Sequence, residues 1–243
     1  MGFNKKFFTT GGIAASTSTP SIITGANLKI NLDVDNYSSG TVADLSGNNN
    51  VATLNGNVTH GTDSNGGGFF ELDGSGDFLE IAASADFNTP SSFTAEGYFN
   101  PDNLTAVDHL ISGFGAGAQA RFYSRILNSS GDFDVYIYPS AGNIATSNAS
   151  ARLIANQWNH FVISFSSNNS LDIYLNAVLA GTVSSGSSIQ STTTTTIAIG
   201  VLQGHVGSFD FDGKVGAFRF YNIALTAAQV LQNFNASKGK YGI

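Results

Sequence analysis

The sequence predicts an all-β protein built as a sandwich of two antiparallel sheets. Apolar and polar residues alternate along the chain, which is the pattern of a strand with one buried face. Gly, Ser, Asn and Thr account for 101 of the 243 residues, as expected for many short strands joined by turns. Charged residues make up only 11%, against about 25% in an average globular domain.

Five segments carry the alternation and predict five of the strands in order. Their inward-facing residues are Leu28, Ile30 and Leu32; Phe93, Ala95, Gly97 and Phe99; Phe133, Val135 and Ile137; Leu171, Ile173 and Leu175; and Ile197, Ile199 and Val201. Turn clusters rich in Gly, Asn, Asp and Ser separate them. No internal repeat or linker interrupts this pattern, so residues 25–243 are predicted to form one domain.

The first 24 residues differ from the rest and are predicted to form an extended arm. The arm is rich in Gly, Ser and Thr and carries Phe3, Phe7 and Phe8. Thr9 and Thr10, followed by two glycines, end its apolar run too early for a signal peptide. A segment of this composition gains order only by docking, either on its own domain or on a neighbouring subunit. The second alternative is favoured and makes residues 1–24 an assembly arm.

The C-terminal segment predicts a single short helix over about residues 226–236. Thr226 and Gln229 have the spacing of a capping box. Ala227, Val230, Leu231 and Phe234 fall on one helical face. Lys238 and Gly239 suit a helix end, so the helix is expected to dock on the sandwich and close the chain.

Charge and composition exclude several classes of function. The net charge is −7, whereas nucleic acids and anionic membranes bind basic surfaces. No apolar run approaches the roughly 18 residues needed to span a membrane. The chain has no cysteine and therefore no disulfide or thiolate site.

Five ordered motifs resemble the laminin-G-like domains. They are 44–50 (DLSGNNN), 70–81 (FELDGSGDFLEI), 93–99 (FTAEGYF), 156–162 (NQWNHFV) and 211–226 (FDGKVGAFRFYNIALT). The resemblance covers residues 26–235 and implies a concanavalin-A-like jelly roll of two antiparallel sheets. It also places His160 in a packed strand.

A narrower resemblance concerns the two termini. Residues 3–12 (FNKKFFTTGG) and 232–242 (QNFNASKGKYG) look like the ends of laminin-G-like virion proteins of tailed bacteriophages. This implies a multi-copy structural protein on the capsid or tail, assembled in the host cytoplasm. Its partners would be other virion subunits, further copies of itself and host-surface glycans. The alternative is a free carbohydrate-binding module whose affinity depends on calcium.

No catalytic site is predicted. Glycosidases of this fold need two carboxylates across a groove, and the only glutamates are Glu71, Glu80 and Glu96, which form no pair on one strand. Asp210 and Asp212 come closest, but a loop before a strand explains them equally well. The four histidines lack metal-ligand spacing. The protein is therefore expected not to be an enzyme.

Calcium is the strongest candidate for a bound metal. Asp44, in the loop 44–50, together with Asp73 and Asp77, supplies the oxygen ligands that calcium prefers. Such side chains also cap their own turns, and this second reading is favoured. Many laminin-G-like relatives carry an acid in the last strand, where this chain has Val215, Gly216 and Ala217.

A sugar-binding surface is predicted on the strand that begins at Phe133. Tyr136 and Tyr138 point away from the core in the alternation, and Tyr123 and Arg125 are near in sequence. Aromatic rings stack on the apolar faces of sugars, and polar groups bind the hydroxyls. Trp158, flanked by strand residues, is expected in the core.

Overall fold

The structure is a computed structural model of the 243-residue chain. It describes residues 20–87, 91–104, 107–115, 119–127, 129–138, 145–148, 151–168, 170–189, 195–202, 206–207 and 209–243. The predicted arm residues Phe3, Phe7 and Phe8 lie outside these ranges.

The described residues form sixteen β-strands, one α-helix and two short 3₁₀ turns. The strands are β1 (Leu28–Ser38), β2 (Thr41–Asp44), β3 (Ala52–Asn55), β4 (Thr59–Thr62), β5 (Gly68–Asp73), β6 (Phe78–Ile81), β7 (Phe93–Pro101), β8 (His109–Gly115), β9 (Gln119–Ile126), β10 (Phe133–Ile137), β11 (Ala145–Asn148), β12 (Asn159–Phe165), β13 (Ser170–Leu175), β14 (Val178–Ser184), β15 (Thr195–Ile199) and β16 (Asp212–Tyr221). The helix is α1 (Ala227–Ser237), and the 3₁₀ turns are Ala85–Phe87 and Lys238–Tyr241.

The strands pair antiparallel along one path that folds over into two layers. The path runs β11-β10-β9-β8-β15-β6-β3-β2-β1-β16-β7-β12-β13-β14, with β5 paired to β16 and β4 paired to β5. Across the core, Phe93 of β7 stacks on Phe122 of β9 with ring centroids 4.7 Å apart. Phe133 of β10 meets Phe161 of β12 at 5.0 Å, edge to face. The predicted all-β sandwich with a C-terminal helix is therefore confirmed.

Burial follows the predicted alternation in β1 but not in the central strands. In β1, Leu28, Ile30 and Leu32 are buried and the residues between them are partly exposed. In β7, β12 and β16 consecutive residues are buried, so both faces are covered. The outer face lies under α1 and the 3₁₀ turn that follows it, where Tyr98 of β7 stacks on Tyr241 at 4.3 Å.

The capping box of α1 is confirmed, but its buried face differs from the predicted one. The backbone N–H of Gln229 donates to Thr226 Oγ1 at 3.3 Å, and the backbone N–H of Thr226 donates to Gln229 Oε1 at 2.9 Å. Val230, Asn233 and Ser237 are the buried residues of the helix. Leu231 is 48% exposed, so its placement on the buried face was wrong. Asn233 takes the inward position because its amide bonds to buried polar groups of the sheet.

Residues 20–24, which lie a few residues before β1, contact the same helix. The backbone N–H of Ile23 donates to Asn233 Oδ1 at 2.7 Å, and the Tyr221 hydroxyl donates to the Ile23 carbonyl at 3.1 Å. Gln232 Nε2 donates to the Ser21 carbonyl at 2.8 Å. The last part of the predicted arm thus packs on its own domain.

Candidate functional site

The three predicted tyrosines come together on the outer face of β9 and β10. Tyr136 lies directly opposite Tyr123 in the strand register, and their rings stack with centroids 4.7 Å apart. The ring of Tyr138 lies 6.2 Å from that of Tyr123. All three side chains are partly exposed. We call Tyr123, Tyr136, Tyr138 and the adjoining Arg125 the tyrosine strip.

Arg125 is held in the strip by two neighbours on β10. It lies opposite Asp134 and donates from Nε to Oδ1 at 3.0 Å and from Nη2 to Oδ2 at 3.3 Å. Nη2 also donates to the Tyr136 hydroxyl at 2.8 Å, and the guanidinium carbon lies 4.9 Å from the Tyr136 ring centroid. A bidentate pair with a cation–π contact fixes the guanidinium orientation on this surface.

On β8, the buried His109 lies next to Tyr123 of the strip, and the sequence did not single it out. The ring of His109 lies 5.4 Å from Tyr123 and 5.6 Å from the exposed Phe209. Its Nδ1 lies 3.2 Å from the Phe209 carbonyl oxygen. His109 and Phe209 are 100 residues apart in sequence. Only the pairing of β8 with β9 places His109 beside Tyr123.

Burial keeps the hydroxyls of Tyr123 and Tyr136 protonated. It raises the pKa of Tyr123 above its usual range, and the neighbouring Tyr138 raises it further. Burial and then the charge of Asp134 raise the pKa of Tyr136. The strip therefore offers hydroxyl groups that can both donate and accept hydrogen bonds at physiological pH.

Asp44, predicted as a calcium ligand, caps its own loop. Its Oδ1 accepts from the backbone N–H groups of Asn31 and Ser46, both at 2.9 Å. Its Oδ2 accepts from the Ser46 hydroxyl at 2.8 Å and from the Asn50 N–H at 2.9 Å. Four donors therefore bind its carboxylate. This is the turn-capping role that the sequence favoured over calcium binding.

Asp73 and Asp77 lie together in another loop and also bind backbone groups. Asp77 Oδ1 accepts from the Asn57 N–H at 2.6 Å, and its Oδ2 accepts from the Asp73 N–H at 3.2 Å. Asp73 Oδ1 accepts from the Ser75 N–H at 2.9 Å. Neither shares a hydrogen-bond partner with Asp44. Over the described ranges, no three His, Cys, Asp or Glu side chains are grouped so that they could hold a metal ion.

A buried polar network lies beneath α1 and was not predicted. Glu96 Oε1 accepts from Arg219 Nη1 and from Asn233 Nδ2, both at 3.0 Å, and His160 Nε2 lies 3.6 Å from Glu96 Oε2. Burial acts to raise the pKa of Glu96, but His160 and Arg219 outweigh it and lower that pKa. Because β7, β12, β16 and α1 enclose the group, it joins the helix to the sheet.

Trp158 and His160 are buried, as the sequence predicted. Trp158 is 5% exposed and His160 fully buried. The indole Nε1 donates to Asp63 Oδ2 at 3.1 Å, and the indole packs on Tyr241 with ring centroids 4.6 Å apart.

In the part of the chain that the structure describes, no helix is both long and apolar enough to cross a membrane.

The fold and the aromatic strip define the chain as a lectin-like β-sandwich, and comparison with known families identifies it further. The family model Laminin_G_3, described as the concanavalin A-like lectin/glucanases superfamily, matches residues 73–231. This is more than half of the chain, which therefore belongs to that family. The resemblance to laminin-G-like domains is thereby confirmed, whereas the likeness of the termini to phage virion proteins stays a prediction.

Solved structures share the concanavalin-A-like fold at low sequence identity. Domain 4 of AbnA, a GH43 extracellular arabinanase from Geobacillus stearothermophilus, in complex with arabinotriose, has a TM-score of 0.68 and 17% identity over 85% of this chain and 98% of its own. The binding domain of Paraclostridial Mosquitocidal Protein 1 has a TM-score of 0.67 and 17% identity over 86% of this chain and 52% of its own.

The ligand binding domain of botulinum neurotoxin serotype D, in complex with N-acetylneuraminic acid, has a TM-score of 0.67 and 13% identity over 86% of this chain and 50% of its own. This chain thus spans about half the length of the two toxin domains. Among curated protein sequences no match was found.

Proposed function

We propose that this chain is a non-catalytic glycan-binding module whose binding surface is the tyrosine strip. The observation that carries the proposal is the assembly of three partly exposed tyrosines and one oriented arginine on the outer face of β9 and β10. Two similar structures, those of the arabinanase domain and the neurotoxin domain, were determined with sugars bound. They support a sugar as the class of ligand.

The strip has the chemistry that a sugar requires. Ring surface and edges of the tyrosines offer apolar contact to the C–H faces of a pyranose or furanose ring. The tyrosine hydroxyls and the Arg125 guanidinium reach outward as hydrogen-bond partners for sugar hydroxyls. Since Asp134 already orients Arg125, little side-chain entropy is lost when a ligand binds.

The same geometry supports binding without catalysis. Asp134, the carboxylate paired with Arg125 of the strip, is 3% exposed, and both of its oxygens accept from Arg125. A glycosidase needs one carboxyl group that donates a proton and a second one across the bond. With both oxygens engaged by Arg125, Asp134 is not free to take either role.

The first prediction concerns the strip directly. Tyr136→Ala and Tyr138→Ala should each weaken binding to arabino-oligosaccharides or sialylated glycans by about tenfold or more, because ring contact with the sugar is lost. Affinity is measured by titration calorimetry after a glycan-array screen identifies a ligand. Tyr37→Ala, a partly buried tyrosine on β1, is the control and should leave the affinity unchanged. Equal affinities for wild type and both strip variants would contradict the proposal.

We further propose that the module is carried on a phage particle, as a capsid decoration or a tail-associated protein. The likeness of the termini and the apolar residues Phe3, Phe7 and Phe8 support this. Each phenylalanine would contribute up to about 1.5–3 kcal/mol if fully buried against a neighbouring subunit.

The second prediction tests the arm without disturbing the domain. Deleting residues 2–19 should abolish incorporation into particles while the domain stays folded, since the contacts of residues 20–24 with α1 are retained. Incorporation is measured by mass spectrometry of purified particles, and folding by circular dichroism. Deletion of residues 2–24 is the comparison and should lower stability, because it also removes the bonds of Ser21 and Ile23. Normal incorporation of the 2–19 deletion would exclude an assembly role for the arm.

A further inference from the structure

His109 is buried although it lies on the outer face of β8. It stands opposite Arg125 of the tyrosine strip in the pairing of β8 with β9, and the next residue, Leu110, packs in the core. Only 2% of His109 is exposed. Its ring makes edge contacts with the rings of Tyr123, at 5.4 Å, and Phe209, at 5.6 Å. These two rings help to cover His109 on this face.

Phe209 itself stays open to solvent, at 43% exposure. Its carbonyl oxygen accepts from the His109 backbone N–H at 3.0 Å and lies 3.2 Å from His109 Nδ1. The next residue, Asp210, accepts from the N–H groups of Gly76 at 2.6 Å and Gly207 at 2.7 Å. Phe209 is therefore an exposed aromatic ring on a backbone that is hydrogen-bonded to the sheet and to its neighbouring turns.

The accessible aromatic residues of this face follow one another across three neighbouring strands. Tyr136 lies on β10, Tyr123 lies opposite it on β9, and Phe209 lies beside the start of β8. Strands in a sheet are about 4.8 Å apart, so β10 and β8 are separated by about 10 Å. A single sugar ring is about as wide as a tyrosine ring and cannot contact both ends of this surface.

Arg125 supplies polar contacts between the two aromatic ends. It lies on β9, the strand between β10 and β8. Its bonds to Asp134 and to the Tyr136 hydroxyl use Nε and Nη2, which leaves Nη1 for a ligand among the described residues. A ligand that crosses the three strands thus meets rings at both ends and a hydrogen-bond donor in the middle.

We propose that the tyrosine strip and Phe209 together bind a chain of sugar residues, in which Phe209 contacts a sugar beyond the one stacked on the tyrosines. This inference rests on the proposed glycan-binding function and makes the ligand an oligosaccharide rather than a single terminal sugar. The Phe209 ring offers apolar contact to the C–H face of a sugar, as the tyrosines do. Because its backbone is already fixed, little order is lost on binding. Phe209 thus determines the preference for ligand length.

The dependence of affinity on ligand length tests the inference. Arabino-oligosaccharides and sialylated oligosaccharides, each from the monosaccharide to the hexasaccharide, are titrated against the full chain by calorimetry. For the series that binds, we expect the wild-type affinity to rise with length and then to level off. Phe209→Ala should lower the affinity for the long members by about tenfold and leave that for the monosaccharide unchanged, because only long ligands reach Phe209. Tyr136→Ala should weaken binding at every length.

Three further variants separate the ring from its structural role. Phe209→Tyr keeps an aromatic ring and should bind like wild type. Phe209→Leu still covers His109 but lacks the flat ring, so it should behave like Phe209→Ala. Leu231→Ala, at a similarly exposed position on α1, should change no affinity. Thermal unfolding checks the fold of each variant, and Phe209→Leu decides the question if Phe209→Ala does not fold.

The outcomes distinguish this inference from the proposed function. A wild-type affinity that does not rise beyond the monosaccharide would overturn the inference, as would a length dependence that persists in Phe209→Leu. In both cases loss of binding in Tyr136→Ala would leave the proposed function intact. If no member of either series binds, or if Tyr136→Ala binds like wild type, the proposed function fails and this inference fails with it.

Discussion

Two buried carboxylates of this protein, Glu96 and Asp108, differ in whether the fold balances their charge. Glu96 accepts from Arg219 and Asn233, and His160 lies beside it, so its charge is balanced within the fold. Among the described residues Asp108 has no cationic partner, and its pKa is raised to about 6, first by burial and then by the charges of Asp212 and Asp210. The ion pair therefore keeps Glu96 charged within the fold, whereas burial favours the neutral form of Asp108.

Glu96→Gln should be one of the most destabilising single changes in the domain. It leaves the buried Arg219 without a counter-charge, and loss of one partner in a buried ion pair costs about 3–5 kcal/mol of unfolding free energy. The folded-state pKa of Glu96 is lowered, so the contribution is present above the usual pKa of a glutamate and is lost as the pH falls through the folded value.

Urea unfolding at pH 7 and at pH 4 measures this effect. Glu71→Gln is the control, because its ion pair with Lys214 is partly exposed and should be worth at most about 1 kcal/mol. If Glu96→Gln and Glu71→Gln have equal free energies of unfolding at pH 7, the ion pair of Glu96 with Arg219 does not stabilise the fold.

The C-terminal helix α1 packs on the sheet through a polar residue, Asn233, rather than through the apolar Leu231. Asn233 Nδ2 donates to Glu96 Oε1 and to the Tyr221 hydroxyl at 2.9 Å, while its Oδ1 accepts from the Ile23 N–H. It therefore joins the helix, two strands and the segment before β1. Leu231, two residues earlier in the same helix, faces solvent.

Asn233→Ala should cost more stability than Leu231→Ala, the reverse of what hydrophobicity suggests. Asn233→Ala leaves buried donors and acceptors unpaired, at about 1–3 kcal/mol for each such group. Leu231→Ala alters an exposed position and should stay within about 0.5 kcal/mol of wild type. Guanidinium unfolding of both variants gives the comparison. A larger loss in Leu231→Ala would mean that the helix docks through another face.

For the whole molecule, one aromatic core holds the two layers together. Phe93 of β7 stacks on Phe122 of the opposite layer and on Phe220 of β16, with centroids 4.7 and 5.8 Å apart. Because the layers share this core, neither can bury its apolar face alone.

Phe93→Ala should therefore lower the stability of the entire domain in one step. A buried Phe→Ala change costs about 3–5 kcal/mol through lost transfer energy and the cavity left behind. Calorimetry should show one cooperative transition at a reduced Tm, and Val178→Ala, at an exposed position on β14, should change it little. Two separate transitions would indicate that the layers unfold independently.

The sequence by itself determined the features that depend on near neighbours along the chain. The alternation at Leu28, Ile30 and Leu32 predicts β1 because a strand turns successive side chains to opposite faces. The pair Thr226 and Gln229 predicts the start of α1 because the capping bonds span only three residues. The strand placement of Tyr136 follows from the same alternation.

The tertiary structure alone decided which of these elements meet. Tyr123 faces Tyr136 only in the register that β9 and β10 adopt. Asn233 is buried because Glu96, more than a hundred residues earlier in the chain, lies beneath it. Such contacts depend on closing long loops and on burying one shared core, and these contributions to the free energy belong to the whole chain rather than to any short segment.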